Sequence, residues 1–259
     1  MVITIKFNDN IKHDYNSFEE IVKLDNYNDI IYLDCYNNNL SSLPELPNSL
    51  KFLYCSNNNL SNLPELPNSL FTLYCWDNKI TNLPELPNSL TYLYCRKNNL
   101  SRLPELPNSL IELLCNNNNL SNLPKLPNSL KLLYCDHNNL YCLPKLQNSL
   151  EKLICYNNKL SCLPELPKSL KKLICYNNYL SDLQELPNSL NTIYYQNNPI
   201  YTHIEHCFEG DTKKYFEYQN NIKRVFSNKI GDWYLDCKYN PKYLYCRKRL
   251  MKEYEELYN

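Results

Sequence analysis

The chain has 259 residues, and its 27 Lys and Arg residues balance its 27 Asp and Glu residues. Its two glycines and four histidines exclude glycine-rich phosphate-binding loops and nucleophile elbows, and leave little material for acid–base catalysis. The neutral charge argues against a nucleic-acid binder, and no apolar run approaches the roughly 18 residues of a membrane span. We therefore expect no catalytic residues, no cofactor and no small-molecule substrate.

The N-terminal segment, residues 1–29, differs from the repeated sequence that follows and is predicted to be a cap on the first repeat. Met1–Phe7 alternates apolar and polar residues, which is typical of a β-strand. Ser17–Leu24 favours a short helix, because Ser17 is a preferred N-cap residue and Glu20 follows three positions later.

The central part of the chain is an internal repeat. The segment L-P-E-L-P-N-S-L, or a close variant, recurs every 20 residues and begins at Leu43, Leu63, Leu83, Leu103, Leu123, Leu143, Leu163 and Leu183. A second pattern, L-x-x-L-x-C-x-x-N-x-L, lies between these segments, as in Leu50–Leu60. Such a fixed period is typical of solenoid proteins, in which each repeat buries its apolar residues against its neighbours.

Each repeat is predicted to contain one short strand, one turn and one extended return segment. Apolar residues alternate along L-x-L-x-C, which places Leu53 and Cys55 inside and Phe52, Tyr54 and Ser56 outside. The prolines of the return segment forbid a helix there and favour polyproline geometry. Stacked repeats then form a parallel sheet whose strands lie about 4.8 Å apart.

The second pattern resembles the leucine-rich-repeat signature, with Cys in the third apolar position. The repeat length and the L-P-x-L-P segment resemble the shortest class of these repeats, known from effectors of enteric bacteria, and nine strand segments fit it over about residues 30–207. The resemblance implies an α/β leucine-rich-repeat solenoid, a right-handed horseshoe with a parallel sheet on the concave face and polyproline segments on the convex side. The composition also looks like leucine-rich-repeat proteins of mimivirus-type large DNA viruses.

One asparagine recurs at the same position of every repeat. The positions are Asn38, Asn58, Asn78, Asn98, Asn118, Asn138, Asn158, Asn178 and Asn198. Asn tolerates left-handed backbone conformations and bonds to nearby main chain, so this column is predicted to satisfy turn amides from one repeat to the next. Replacing Asn98 with Ala is expected to cost about 1–3 kcal/mol through unpaired buried amides.

Eight of the 13 cysteines occupy one position in consecutive strands: Cys35, Cys55, Cys75, Cys95, Cys115, Cys135, Cys155 and Cys175. A metal or redox ladder is one interpretation of this column. A straight row spaced by about 4.8 Å fits neither a disulfide nor the converging ligands of zinc, so we interpret these residues as buried, reduced thiols. Cys142 and Cys162 lie in another column, near the predicted convex edge. Reduced thiols and the lack of a recognisable secretion signal predict a cytoplasmic protein.

The outward strand positions are rich in aromatic residues and form the predicted binding surface on the concave face. The candidate residues are Phe52, Tyr54, Tyr74, Trp76, Tyr92, Tyr94, Arg96, Tyr134, Tyr156 and Tyr176. Tyr, Trp and Arg dominate interface hot spots, and a broad exposed aromatic surface marks an interaction site. The alternative is that the tyrosines serve as strand formers that stabilise the sheet. Charges of both signs are balanced on this face, which gives no electrostatic funnel for nucleic acid. The charged residues predicted to point outward are the acids Asp34, Asp77, Glu112 and Asp136 and the bases Arg96, Lys97, Lys152 and Lys172.

The C-terminal segment, residues 208–259, has a different character and is predicted to be a helical cap or tail. Thr212–Ser227 and the segment that starts at Asn240-Pro241 favour helices. The basic cluster Arg247–Arg249 suits either a partner-binding tail or a solvated helix face.

Three possible metal ligands precede this segment. His203, His206 and Cys207 form the pattern H-x-x-H-C, which contains zinc-ligand types. They do not match a recognised finger spacing, and His206 and Cys207 stand where a decaying repeat would carry apolar and proline residues. We therefore expect no bound metal.

Together these features predict a non-catalytic protein–protein interaction module, a scaffold or adaptor with a protein partner. The resemblance to bacterial effectors raises one alternative, the substrate-recognition part of a ubiquitin-ligase-type effector, because such effectors can carry a C-terminal ligase domain with a catalytic cysteine. The tail is too short for that domain, and no C-x-D pattern surrounds Cys207, Cys237 or Cys246. A largely structural protein is the other alternative. The expected location is the cytoplasm, that of the host for a viral protein, with neither secretion nor membrane attachment.

Overall fold

A computed structural model describes residues 2–183, 185–212, 214–218 and 220. Contacts divide this described chain into two compact units, the first ending at Thr202 and the second beginning at His203. No helix within these ranges is long and apolar enough to cross a membrane.

Most of the predicted C-terminal helices lie outside the described residues. In the predicted helix Thr212–Ser227, the described residues 212, 214–218 and 220 are helical. The segment that starts at Asn240-Pro241 and the cluster Arg247–Arg249 lie wholly outside, as do Cys237 and Cys246. The boundaries at residues 29 and 207 stay a prediction.

The first unit is built on one sheet of eleven strands. The strands are β1 (Ile3–Lys6), β2 (Lys12–Tyr15), β3 (Tyr32–Asp34), β4 (Phe52–Tyr54), β5 (Thr72–Tyr74), β6 (Tyr92–Tyr94), β7 (Glu112–Leu114), β8 (Leu132–Tyr134), β9 (Lys152–Ile154), β10 (Lys172–Ile174) and β11 (Thr192–Tyr194). From β3 to β11 the order across the sheet follows the chain, and each neighbouring pair is parallel. Equivalent residues pair in register, so their side chains form columns across the sheet.

An antiparallel hairpin closes the first edge of the sheet. β1, the predicted strand, pairs with β3 on one side and with β2 on the other. The sequence did not predict β2, because K-H-D-Y has no apolar alternation. Its charged residues suit an edge strand, since charges discourage pairing with another chain. The predicted short helix is α1 (Phe18–Ile21), which follows Ser17 in an extended N-cap conformation.

The core consists of the inward columns that the repeat pattern predicted. The central Leu of β4 to β10 and the Cys that follows each strand from β3 to β10 are fully buried. The first Leu of the L-P-x-L-P segment is at most 9% exposed from Leu63 to Leu183, so it closes the opposite side of each coil. Every coil therefore depends on its neighbours for burial, as a solenoid requires.

The asparagine column makes the bonds that were predicted for it. The Oδ1 atom of Asn98 accepts a hydrogen bond from the Ile80 N–H group at 3.0 Å, and its Nδ2 group donates to the Cys75 and Cys95 carbonyls at 3.0 and 3.1 Å. Asn118, Asn138, Asn158 and Asn178 repeat the arrangement. The side chain thus joins the turn of one coil to the strand end of the coil before it.

A left-handed residue precedes the column asparagine in each repeat. Asn is frequent there, as expected for a chain with few glycines, but Asp77, Lys97 and His137 also have positive φ values of 57°, 52° and 49°. These three residues therefore adopt the left-handed conformation although it costs an L-residue about 1–2 kcal/mol. The bonds of the following Asn hold the turn in place.

A serine column, which the sequence analysis did not use, ties the return segments together. In the seven return segments from Ser69 to Ser189, the Ser hydroxyl donates to the carbonyl of the Leu one coil earlier. The bond from Ser89 to Leu70 is 2.6 Å and that from Ser109 to Leu90 is 2.6 Å. The invariant S-L dipeptide of the repeat therefore has a structural role.

The segment after Asn198 differs from the prediction. The sequence places His206 and Cys207 at the apolar and proline positions of a decaying repeat, whereas in the structure this segment is the helix α2 (Pro199–Phe208). Pro199 stands at the start of the helix, where its missing N–H group is no loss. Ile200 and Ile204 are both buried and lie one helical turn apart. Ile204 and Cys207 stand where the usual return segment carries its two prolines, so the helix is free to form.

Candidate functional site

The predicted binding residues lie together on the outward side of the sheet. All ten are partly exposed: Phe52, Tyr54, Tyr74, Trp76, Tyr92, Tyr94, Arg96, Tyr134, Tyr156 and Tyr176. We call these ten residues the aromatic face. They form two clusters, which are separated by the coil of Leu114 and Asn116.

The first cluster is built on a ladder of tyrosines along β4, β5 and β6. The rings of Tyr54 and Tyr74 meet edge to face with centroids 4.9 Å apart, and those of Tyr74 and Tyr94 are stacked at 4.3 Å. The Tyr94 hydroxyl donates a hydrogen bond to the Glu112 carboxylate. Burial, followed by this bond, raises the pKa of Tyr94 well above its ordinary value.

Trp76 lies between an aromatic ring and a cation. Its ring centroid is 5.8 Å from that of Tyr36, two repeats away, and 4.8 Å from the guanidinium carbon of Arg96. Ser56, between Tyr36 and Trp76 in the column, was predicted to point outward, but it is only 2% exposed and its hydroxyl has no hydrogen-bond partner among the described atoms. The small Ser56 side chain allows the two large rings to meet across it.

Phe71 belongs to the same surface, although the prediction missed it. It is 40% exposed, and its ring lies 6.2 Å from that of Phe52 and 5.5 Å from that of Tyr92. Phe71 directly precedes β5, one position outside the alternating pattern. A Phe at the position that is Lys51 and Thr91 in the neighbouring repeats was the signal that could have revealed it.

The second cluster lies beyond β8. Tyr156 and Tyr176 are stacked with centroids 4.4 Å apart, and His137 meets Tyr156 edge to face at 4.9 Å. Asp136 was predicted to be an outward charge, but it is only 3% exposed and lies 3.0 Å from His137 Nδ1. Burial and the nearby Asp136 carboxylate raise the pKa of Tyr156.

The cysteine column is packed as a hydrophobic row. All eight thiols of the column have no exposed surface, and burial raises their pKa, to about 12 for Cys95. By contrast, Cys142, Cys162 and Cys207 are exposed. A thiol that stays protonated is neither a nucleophile nor a metal ligand.

The possible metal ligands near the end of the repeats do not form a cluster in the described part of the chain. On α2, His203 Nδ1 and Cys207 Sγ lie 3.6 Å apart. No group of three His, Cys, Asp or Glu side chains converges among the described residues. The aromatic face is therefore the candidate binding surface. It offers apolar rings, a cation over an indole ring and hydroxyl donors.

No family model and no curated protein matches the chain. Among solved structures, YopM from Yersinia enterocolitica WA-314 is 39% identical with a TM-score of 0.66, and the match covers 66% of this chain and 38% of YopM. YopM from Yersinia pestis, described as a leucine-rich effector protein, is 43% identical with a TM-score of 0.62, over 65% of this chain and 49% of the other. The chain thus spans less than half the length of either protein.

A third match covers most of the similar protein. The leucine-rich-repeat domain of a Shigella effector is 32% identical with a TM-score of 0.54, and the match covers 64% of this chain and 81% of that domain. The parallel solenoid, the asparagine column and these matches lead to one conclusion. The chain belongs to the leucine-rich-repeat proteins, with repeats of the bacterial-effector type.

Proposed function

We propose that this protein is a non-catalytic interaction module that binds a protein partner on the aromatic face, on the concave side of the solenoid. The observation that carries the proposal is the partly exposed first cluster, in which the rings of Tyr54, Tyr74 and Tyr94 contact one another in a row, beside Trp76 and Arg96. Tyr, Trp and Arg are the residue types that contribute most to protein interfaces. The similarity to effector proteins of Yersinia and Shigella supports an interaction role.

The rings of this cluster are already held in place before any partner binds. Stacking between Tyr74 and Tyr94, and the bond from Tyr94 to Glu112, restrict the side-chain rotamers. A partner therefore has less side-chain entropy to overcome, which favours affinity at a given contact area. Extended peptide segments and helix faces both suit a broad surface of this kind.

The stacking also favours a second role, in which the tyrosines mainly stabilise the sheet. The two roles differ in the use of the exposed ring surfaces. An interface needs these surfaces to contact a partner, whereas stabilisation of the sheet does not. A substrate-recognition role in a ubiquitin-ligase-type effector would use the same face as an interaction module. The cytoplasmic location and the viral source stay predictions, and the similar effectors are bacterial.

The test compares peptide binding by a variant of the aromatic face with binding by a control variant outside it. Peptides are selected on the wild-type protein from a random display library, and their affinity is measured for Tyr74→Ala/Trp76→Ala/Tyr94→Ala. We expect this variant to weaken binding by at least about thirtyfold, because a hot-spot aromatic contributes about 2 kcal/mol or more.

The matched control is Tyr141→Ala/Tyr179→Ala, which removes tyrosines that are 57% and 63% exposed and lie outside the strands. Circular dichroism and thermal melting establish that both variants fold. Equal binding by the wild type and the triple variant would sink the proposal and leave the tyrosines as sheet stabilisers.

A further inference from the structure

Four lysines lie at or just before the start of β8, β9 and β10, and the last two of these strands lead to the second aromatic cluster. We call them the lysine row: Lys131, Lys152, Lys171 and Lys172. Lys152 and Lys172 are the first residues of β9 and β10 and pair directly across the sheet. Lys131 and Lys171 come directly before the strands β8 and β10. Three of the side chains are exposed and Lys172 is partly exposed.

One carboxylate lies among three of the four lysines. Lys171 Nζ lies 2.6 Å from Glu151 Oε2. The pKa of Glu151 is lowered by the hydrogen bond and charge of Lys171 first, and then by the charges of Lys131 and Lys152. Three ammonium groups from three successive coils therefore act on one carboxylate.

The remaining lysines have no carboxylate of their own among the described residues. Within that part of the chain, Lys131, Lys152 and Lys172 take part in no ion pair. The nearest outward acids are already engaged, since Glu112 accepts from Tyr94 and Asp136 is buried beside His137. Like charges directly opposite on neighbouring strands destabilise a sheet, so the pair Lys152 and Lys172 costs stability unless an anion binds.

The surface beside the row is apolar. Tyr134 and Ile174 are partly exposed on β8 and β10, and the stacked rings of Tyr156 and Tyr176 lie beyond them. A ligand that covers both regions needs carboxylates at one edge and apolar side chains in the middle. An acidic peptide segment with interspersed apolar residues has this chemistry.

We propose that the lysine row binds an Asp- and Glu-rich segment of the protein partner, with its apolar residues against Ile174 and the second aromatic cluster. The proposal rests on the proposed function, because it assigns part of the same face to one region of the partner. A peptide fits better than nucleic acid, since Glu151 lies in the middle of the row and would repel a continuous phosphate backbone.

The test uses a fluorescein-labelled glutamate-rich peptide with interspersed leucines. We expect fluorescence anisotropy to show binding to the full chain that weakens as sodium chloride rises, because screening shortens the range of the charges. Lys152→Glu/Lys172→Glu is expected to weaken binding by at least about tenfold, since it sets like charges against each other. The matched control is Lys125→Glu/Lys145→Glu, which changes the net charge equally at exposed lysines of adjacent return segments.

The outcomes separate this proposal from the proposed function. Loss of binding in the lysine-row variant alone supports it. No binding by the wild type, equal loss in the control, or tighter binding of an oligothymidylate competitor overturns it. The library test of the proposed function changes Tyr74, Trp76 and Tyr94 and leaves the lysine row intact. Its result is therefore independent of this one, and the proposed function can stand when this inference fails.

Discussion

Above about pH 9 the free energy of unfolding is expected to fall steeply. Burial raises the pKa of the column thiols, to about 12 for Cys35, Cys95 and Cys175, from an ordinary value of 9.0. A group whose pKa is raised in the folded state stabilises the fold below its unfolded pKa. That stability is lost as the pH rises from 9.0 towards the folded pKa, because only the unfolded chain releases the protons.

The size of the effect follows from the number of buried thiols. At about pH 10, ionisation of one unfolded cysteine favours unfolding by about 1 kcal/mol. Eight column thiols are fully buried, so the loss is roughly 10 kcal/mol, comparable with the whole stability of an ordinary domain. The protein is therefore expected to unfold cooperatively near this pH.

Urea titrations between about pH 7.5 and 10 measure this loss. Cys75→Ala/Cys115→Ala releases two fewer protons on unfolding, so we expect its unfolding free energy to fall less steeply with pH than that of the wild type. The variant Cys142→Ala/Cys162→Ala, which removes two thiols that are exposed in the folded chain, is the control for the loss of a thiol as such. A flat dependence in the wild type would mean that the column is not buried as described.

Replacing Asn98 with Ala is expected to destabilise the fold by about 3 kcal/mol. The change leaves the buried Ile80 N–H group without its acceptor and the Cys75 carbonyl without this donor. Each buried polar group that loses its partner costs about 1–3 kcal/mol. Because Asn98 joins two coils, the loss affects the stack rather than one turn.

Thermal melting and urea unfolding measure this change. For a domain of this size, about 3 kcal/mol lowers the melting temperature by roughly 6–12 °C. The control is Asn99→Ala at the exposed neighbouring position, where we expect less than about 0.5 kcal/mol. If both variants melt with the wild type, the asparagine column does not hold the turns.

The sequence predicted the solenoid because every repeat carries the same constraints. Alternation along L-x-L-x-C defines the strand, the prolines exclude a helix, and the repeated Asn supplies the turn bonds. Because every repeat carries these signals, a departure from the pattern in one repeat does not change the predicted fold. These constraints end at the last repeat. There, the helical spacing of Ile200 and Ile204 outweighed the weak likeness to a return segment, and α2 formed.

The details of the candidate site were harder to predict, because they depend on contacts between repeats. The alternating pattern places Ser56 and Asp136 outward, but neighbouring columns cover both. Phe71 lies outside the pattern and still contacts two rings of the site. Only the distances between coils show that the aromatic residues form two clusters.

The most direct test of the binding face is hydroxyl-radical footprinting of the tyrosines with and without a peptide selected on the wild-type protein. The account predicts that the peptide slows the oxidation of Tyr54, Tyr74 and Tyr94, while Tyr141 and Tyr179 react at the same rate in both samples. Protection of Tyr141 and Tyr179 with no change at Tyr54, Tyr74 and Tyr94 would contradict it.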